Sequence, residues 1–142
     1  MKIQGQTALI TGAGSGLGEA TAHELARLGA KVAVLDINLA NAEKVAADIN
    51  TAHGAGRAIA CQCDITDASS LQAALAKAAA AQGPARMLMN IAGIGSAKRI
   101  VGKDGSAAPL EDFVRVINVN LIGTYNASRL FAAECVKLAP LE

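Results

Sequence analysis

Long apolar runs, charge of one sign and paired cysteines are what this sequence has least of. No stretch approaches the ~18 apolar residues of a spanning helix, and the start, Met1-Lys2-Ile3-Gln4-Gly5-Gln6, has no run of about seven or more apolar residues. Neither a membrane segment nor a secretory leader is therefore expected. Thirteen Lys and Arg stand against twelve Asp and Glu, a net charge of +1 with the cations scattered. That excludes the basic footprint of a nucleic-acid binder and leaves a small molecule as the expected partner. The three cysteines, Cys61, Cys63 and Cys135, match neither a disulfide framework nor a zinc spacing, so free, mostly buried thiols and no metal are expected. Charged residues make up only 18% against 52% hydrophobic over 142 residues, which argues against disorder and for a single domain over residues 1–142. Together these features predict a soluble, cytoplasmic protein.

What is present is a repeating pattern. Thr7-Ala8-Leu9-Ile10 is a short apolar run ending at a glycine-rich turn, after which Leu17, Ala20, Thr21, Leu25 and Leu28 follow at helical spacing. Gly29 closes that helix, and Lys31-Val32-Ala33-Val34-Leu35 forms a second strand up to Asp36. A helix from Leu39 to about His53, capped by Asn38, precedes a third strand at Ala58 to Cys63. Asp67-Ala68-Ser69-Ser70 starts a third helix that runs to Gln82, Gly83-Pro84 stops it, and Met87 to Ile91 reads as a fourth strand. Gly95 to Pro109 reads as a loop, and Leu110, Phe113, Val114 and Ile117 resume helical spacing towards Lys137, with a kink predicted at Gly123. Near-continuous apolar strands alternating with crossover-length helices predict an α/β protein: a doubly wound, Rossmann-type parallel sheet of about four strands.

The chemistry concentrates at the strand ends. Gly12, Ser15, Gly16, Leu17 and Gly18 lie where the first strand hands over to the first helix. Glycines there let the backbone approach a pyrophosphate, and the helix start favours its negative charge. Asp36 ends the second strand, eighteen residues beyond Gly18, close to the ~20 expected for the acid that binds adenosine ribose hydroxyls. A 2′-phosphate beside that carboxylate would be repelled, and Ile37 supplies no cation, so NAD is favoured over NADP. A tight strand-to-helix turn and a helix-capping aspartate would account for the same residues without a ligand. Asp64 and Ile65, at the end of the third strand, place a polar acceptor beside an apolar wall, which suits adenine.

Thr11-Gly12-x-x-x-Gly16-x-Gly18, Asp36, Asp64-Ile65, Asn90-x-Ala92-Gly93 and Asn120-Leu121-Ile122-Gly123 resemble, in order and spacing, the short-chain dehydrogenase/reductase family. The stretch from Ile94 to Glu111 with Phe113-Val114-Arg115-Val116 is most similar to its type-2 3-hydroxyacyl-CoA dehydrogenase branch. The resemblance implies an NAD-dependent oxidoreductase interconverting a secondary alcohol and a ketone, with a 3-hydroxyacyl-CoA or another hydroxy compound as substrate, and a homo-oligomer. It implies cofactor contact at Ser15, Leu17, Asp36, Asp64, Ile65 and Ile91, with Asn90, Ile91, Ala92 and Gly93 along the cleft. It also implies a catalytic tetrad of Asn, Ser, Tyr and Lys, of which Asn120 matches the first. Asn118 and Asn126 do not fit the family's spacing to Gly123. Tyr125 is the only tyrosine, and the residue four on is Arg129, so the family's Tyr-x-x-x-Lys pair has no counterpart here. The expectation is a catalytically incomplete nucleotide-binding half, the fold truncated after about four strands. A non-catalytic NAD-binding module or a complementing subunit is the alternative. The same branch resemblance suggests that Lys98, Arg99 and Lys103, in the Gly95–Pro109 loop, meet the phosphates of coenzyme A.

Overall fold

The computed structural model describes residues 2–140. Strand β1 (Thr7–Thr11) is buried along its whole length, because it occupies the middle of the sheet with helices on both faces. Helix α1 (Gly16–Arg27) leads to β2 (Lys31–Asp36), α2 (Leu39–His53) to β3 (Ala58–Gln62), and α3 (Ala68–Gln82) to β4 (Ala85–Asn90). The four strands of the sheet pair in parallel, in the order β3-β2-β1-β4.

Alternation along the strands divides the core in two. Ala8, Ile10, Val32 and Val34 face α1 and α2, meeting Ala22, Leu25, Val45 and Ile49. Leu9, Ala33, Leu35 and Cys61 face the other way, towards Leu71, Ala74 and Ala78 of α3 and Ala127 of the last helix. Each fully buried Leu, Ile or Val contributes about 1.5–3 kcal/mol relative to exposure, so either layer holds the sheet far more firmly than any surface ion pair. The helix boundaries follow local chemistry. Asn38 accepts from the Asn41 N–H and Asp67 from those of Ser69 and Ser70, capping α2 and α3, while Gly29 takes a φ of +91° just past α1.

Two expectations need correction. The long last helix is α4 (Leu110–Ile117), a π-helical turn over Asn118–Gly123, and α5 (Thr124–Cys135). Its irregularity is the wide turn, not a glycine kink: Gly123 has an ordinary helical φ of −62°. The segment from Gly95 to Pro109 is more than a plain loop. Val101 pairs with Ala107 in an antiparallel bridge, the Gly102 N–H donates to Ser106 O at 2.8 Å, and Ala108 N–H donates to Ile100 O at 2.9 Å. Asp104 closes the turn by accepting from the Ser106 N–H and hydroxyl. No helix among the described residues is long and apolar enough to cross a membrane.

Candidate functional site: a cleft at the strand ends

The crossovers on either side of β1 diverge, β2 lying on one flank and β4 on the other, which opens a crevice at the C-terminal strand ends. A cleft of about 440 Å³ occupies it, and the buried Thr11 lies next to the lining residue Gly12. The Thr11 hydroxyl accepts from the N–H groups of Ile91 (3.1 Å) and Ala92 (3.2 Å) and donates to Met89 O, locking the end of β4 beside β1.

The glycine loop is shaped by close approach. A Cβ at Gly12, whose φ is +67°, would meet Ala92 Cα at 2.7 Å; one at Gly14 would meet Asp36 Cγ at 2.8 Å; one at Gly18 would meet Gly12 O at 2.1 Å. Side chains at these three positions would fill the space between loop, β4 and Asp36. Ser15 is the N-cap of α1, yet its hydroxyl makes no capping bond, so the helix start faces the cleft with its N–H groups uncapped by side chain. Leu17, 80% exposed, forms an apolar lip.

Asp36 is held by the backbone. Gly14 N–H donates to its Oδ2 and Asn38 N–H to its Oδ1, both at 2.9 Å, so the glycine loop and the end of β2 are joined through this carboxylate. Each oxygen retains a lone pair for a further donor. Asp64 Oδ1 accepts from the N–H and hydroxyl of Thr66 at 2.9 and 2.7 Å, turning the chain so that Ile65 closes the cleft as an apolar wall.

The structure brings Gly12, Ser15, Gly16, Leu17, Gly18, Asp36, Asp64, Ile65, Ile91, Ala92 and Gly93 together around one cleft. Asn90 is not among them: its Nδ2 donates to Ser128 Oγ at 3.1 Å, tying β4 to α5, because strand alternation points it at the helix. Asn120 sits beside the cleft rather than in its lining. Its Nδ2 donates to Ile94 O and its Oδ1 accepts from Ile94 N–H, both at 2.8 Å, so the side-chain amide clasps the turn after Gly93. Both ends of that amide are engaged with the Ile94 backbone.

Ile37, Cys63, Ile94 and Val119 also line the cleft and were not foreseen. Cys63 and Ile37 had a signal: they flank Asp64 and Asp36 in sequence at the strand ends. Val119 had none, since only the π turn brings it there. Burial pushes the Cys63 thiol up to about 12, reinforced by Cys61 and by the acidic Asp64, Asp36 and Asp67, so it is a neutral wall and not a nucleophile. Tyr125 is 69% exposed and outside the lining, and the Arg129 four residues on is bonded to Asn126. Lys98, one of the three cations of the 95–109 lobe, is paired with Asp112 at 2.5 Å. Among the described residues no group of three His, Cys, Asp or Glu is placed to hold a metal ion. A loop open to an anion, a carboxylate with spare lone pairs and an apolar slot beyond it fit an extended ligand with a phosphate middle, a diol and a flat apolar end.

Comparison with known proteins identifies the family and the fold. The family model described as short chain dehydrogenase matches residues 6–138. The chain is 43% identical over 133 residues to the 3-hydroxyacyl-CoA dehydrogenase type-2 of Bos taurus, covering 93% of this chain and 49% of that protein. The crystal structure of 3-hydroxyacyl-CoA dehydrogenase type-2 from Mycobacterium avium superimposes with a TM-score of 0.86 at 33% identity, covering 97% of this chain and 52% of that one. That of 3-ketoacyl-(acyl-carrier-protein) reductase from Brucella melitensis, complexed with NADH, gives a TM-score of 0.82 at 36% identity, covering 93% and 51%. The chain spans about half the length of the curated relatives it matches. On a match that runs through both the glycine loop and Asp36, this chain belongs to the short-chain dehydrogenase family.

Proposed function

We propose that the cleft binds NAD(H) and that the protein serves an oxidoreductase interconverting a secondary alcohol and a ketone, with 3-hydroxyacyl-CoA as the substrate class. The observation that carries the cofactor reading is Asp36, fixed by Gly14 and Asn38 with lone pairs left for the two hydroxyls of an unphosphorylated ribose. The NADH in the Brucella melitensis reductase and the names of the bovine and Mycobacterium avium relatives support it. Gly12, Gly14, Ser15 and Gly18 with the start of α1 would hold the pyrophosphate, and Asp64 and Ile65 the adenine. The bound nicotinamide would supply hydride transfer. Asn120 keeps the turn after Gly93 in place, and in this reading it would hold a water of the proton path.

Residues 1–142 form one nucleotide-binding unit in this reading, and the Ser and the Tyr/Lys pair of the family tetrad come from elsewhere in the complete enzyme. A non-catalytic nucleotide-binding module is the second reading. The position of Tyr125, exposed and away from the cleft, favours it for the chain taken alone. Self-association is proposed from the exposed apolar stripe of Leu110, Phe113, Val114, Leu121 and Ile122 on α4 and the π turn. The test is fluorescence titration of the 142-residue chain with NADH, followed by an assay with 3-hydroxyacyl-CoA and NAD. Saturable binding without turnover is expected, because acid/base assistance contributes about 10²–10⁴-fold. Absence of NADH binding refutes the cofactor reading, and brisk turnover refutes the division of the tetrad.

A further inference from the structure

Ile65 walls the cleft, but its supports come from behind, from the end of the π turn and from α5. Its side chain lies against Gly123, where a Cβ would stand 2.7 Å from Ile65 Cγ1 and 2.8 Å from Cδ1. Since the φ of Gly123 is −62°, its backbone does not call for glycine; the space is what Ile65 uses. Within the next turn Asn126, only 6% exposed, donates from Nδ2 to Ile65 O at 2.9 Å and accepts at Oδ1 from Arg129 Nη2 at 2.6 Å. Asparagine is a poor helix former and costs free energy to bury. Inside α5, these two bonds are what offset that cost.

We propose that Gly123 and Asn126 are positioning residues for the adenine-facing wall, so that the junction of the π turn and α5 governs cofactor affinity through Ile65 without lining that end of the cleft. The inference rests on the NAD(H) reading above. Asn126 holds the Ile65 backbone to the helix, and the missing side chain at Gly123 lets the Ile65 side chain lie back from the cleft. With a methyl at Gly123 the helix is solid on one side of Ile65 and the cleft is open on the other. The side chain therefore swings towards the space an adenine would fill.

The test measures ADP-ribose binding by titration calorimetry on the 142-residue chain. Gly123→Ala is expected to raise Kd about tenfold in the parent but less than about twofold in the Ile65→Ala background, where the colliding atoms are gone. An equal loss in both backgrounds, or none in the parent, overturns the proposal. Should Gly123→Ala fail to fold, Asn126→Ala is compared with Leu130→Ala, which loosens α5 elsewhere. A Kd raised about five- to tenfold by Asn126→Ala alone, at a temperature where both variants are folded, supports positioning, whereas equal Kd values for the two overturn it. If the parent chain binds neither ADP-ribose nor NADH, the cofactor reading itself falls and this inference with it. Parent binding with unchanged variants overturns the positioning role only.

Discussion

Replacing Asp36 with asparagine keeps the shape of the side chain and removes its charge, and the structure sets what that should do. The two carboxylate oxygens accept from Gly14 N–H and Asn38 N–H at 2.9 Å each; an amide has one oxygen, so one of these donors loses its acceptor. Where it falls on the N–H of the buried Gly14 the loss is worth about 1–3 kcal/mol, and it loosens the joint between glycine loop and β2. NADH binding should therefore weaken by about tenfold or more. Discrimination against NADPH should weaken further. A 2′-phosphate bound here would bring one unit charge within about 5 Å of the carboxylate, a repulsion of about 3 kcal/mol at an effective dielectric near 20. Asp36 is half-buried, and salt reduces this to about 1–3 kcal/mol. The parent chain should then prefer NADH by about 10–100-fold, and Asp36→Asn should bring the two cofactors within a few-fold of each other. Fluorescence titrations with both cofactors at about 20 and 200 mM salt measure the ratio, which should narrow with salt in the parent and not in the variant. Equal affinities in the parent, or a ratio unchanged by the substitution, would refute the reasoning.

Asn120→Ala removes both bonds to Ile94, each worth about 1 kcal/mol net, and should lower Tm by about 5–10 °C by circular dichroism. An unchanged melting curve would show that the clasp carries no stability. Because burial lifts the Cys63 thiol from an ordinary value near 9 to about 12, the folded state keeps a proton that the unfolded state loses. The stabilisation is complete below about pH 9 and is lost as pH rises towards 12, with a slope of at most ~1.4 kcal/mol per pH unit. Urea midpoints at pH 8 and about 10.5 should therefore fall less in Cys63→Ala than in the parent; parallel falls count against the buried thiol. If the 95–109 lobe reads coenzyme A, the pair Arg99→Ala and Lys103→Ala should weaken CoA binding in a salt-sensitive way. Lys98→Ala should weaken it less, being already paired with Asp112. Calorimetry at two salt concentrations tests this, and CoA binding unchanged in the pair, or a loss that does not depend on salt, would argue that the lobe makes no phosphate contact.

Much of the fold was legible because its signals are local. Strand β2 stops at Asp36, α2 (Leu39–His53) starts after its cap Asn38, and α3 (Ala68–Gln82) runs between its caps Asp67 and Gly83, all as the caps and glycines indicate. The glycine loop and Asp36 were legible for the same reason, each sitting at a strand end where a parallel sheet opens. What escaped depends on contacts distant in sequence. Nothing in the Asn90 neighbourhood says that its amide turns to Ser128 across 38 residues, and nothing in the Gly95–Pro109 composition announces the Val101–Ala107 bridge. Gly123 was read as a kink because glycine loosens helices in general, whereas its neighbour Ile65, 58 residues earlier, explains it. Asn126 looked like a residue that failed a motif; its partner, the Ile65 carbonyl, lies 61 residues away.

The wide turn over Asn118–Gly123 makes the last helix unequal in its tolerance of lost length. A residue deleted from α5 advances everything beyond it by about 100°, which would carry Leu130 and Phe131 off the core they pack against. A residue deleted from the π turn merely lets the turn tighten to ordinary α-helical pitch, with α4 and α5 keeping their faces. Such a shortened chain should still fold, yet Val119 and the side-chain amide of Asn120 would be withdrawn from beside Gly93. Packing and chemistry are thus separable at this point in the chain: one peptide unit is spare for the architecture and is present for the cleft.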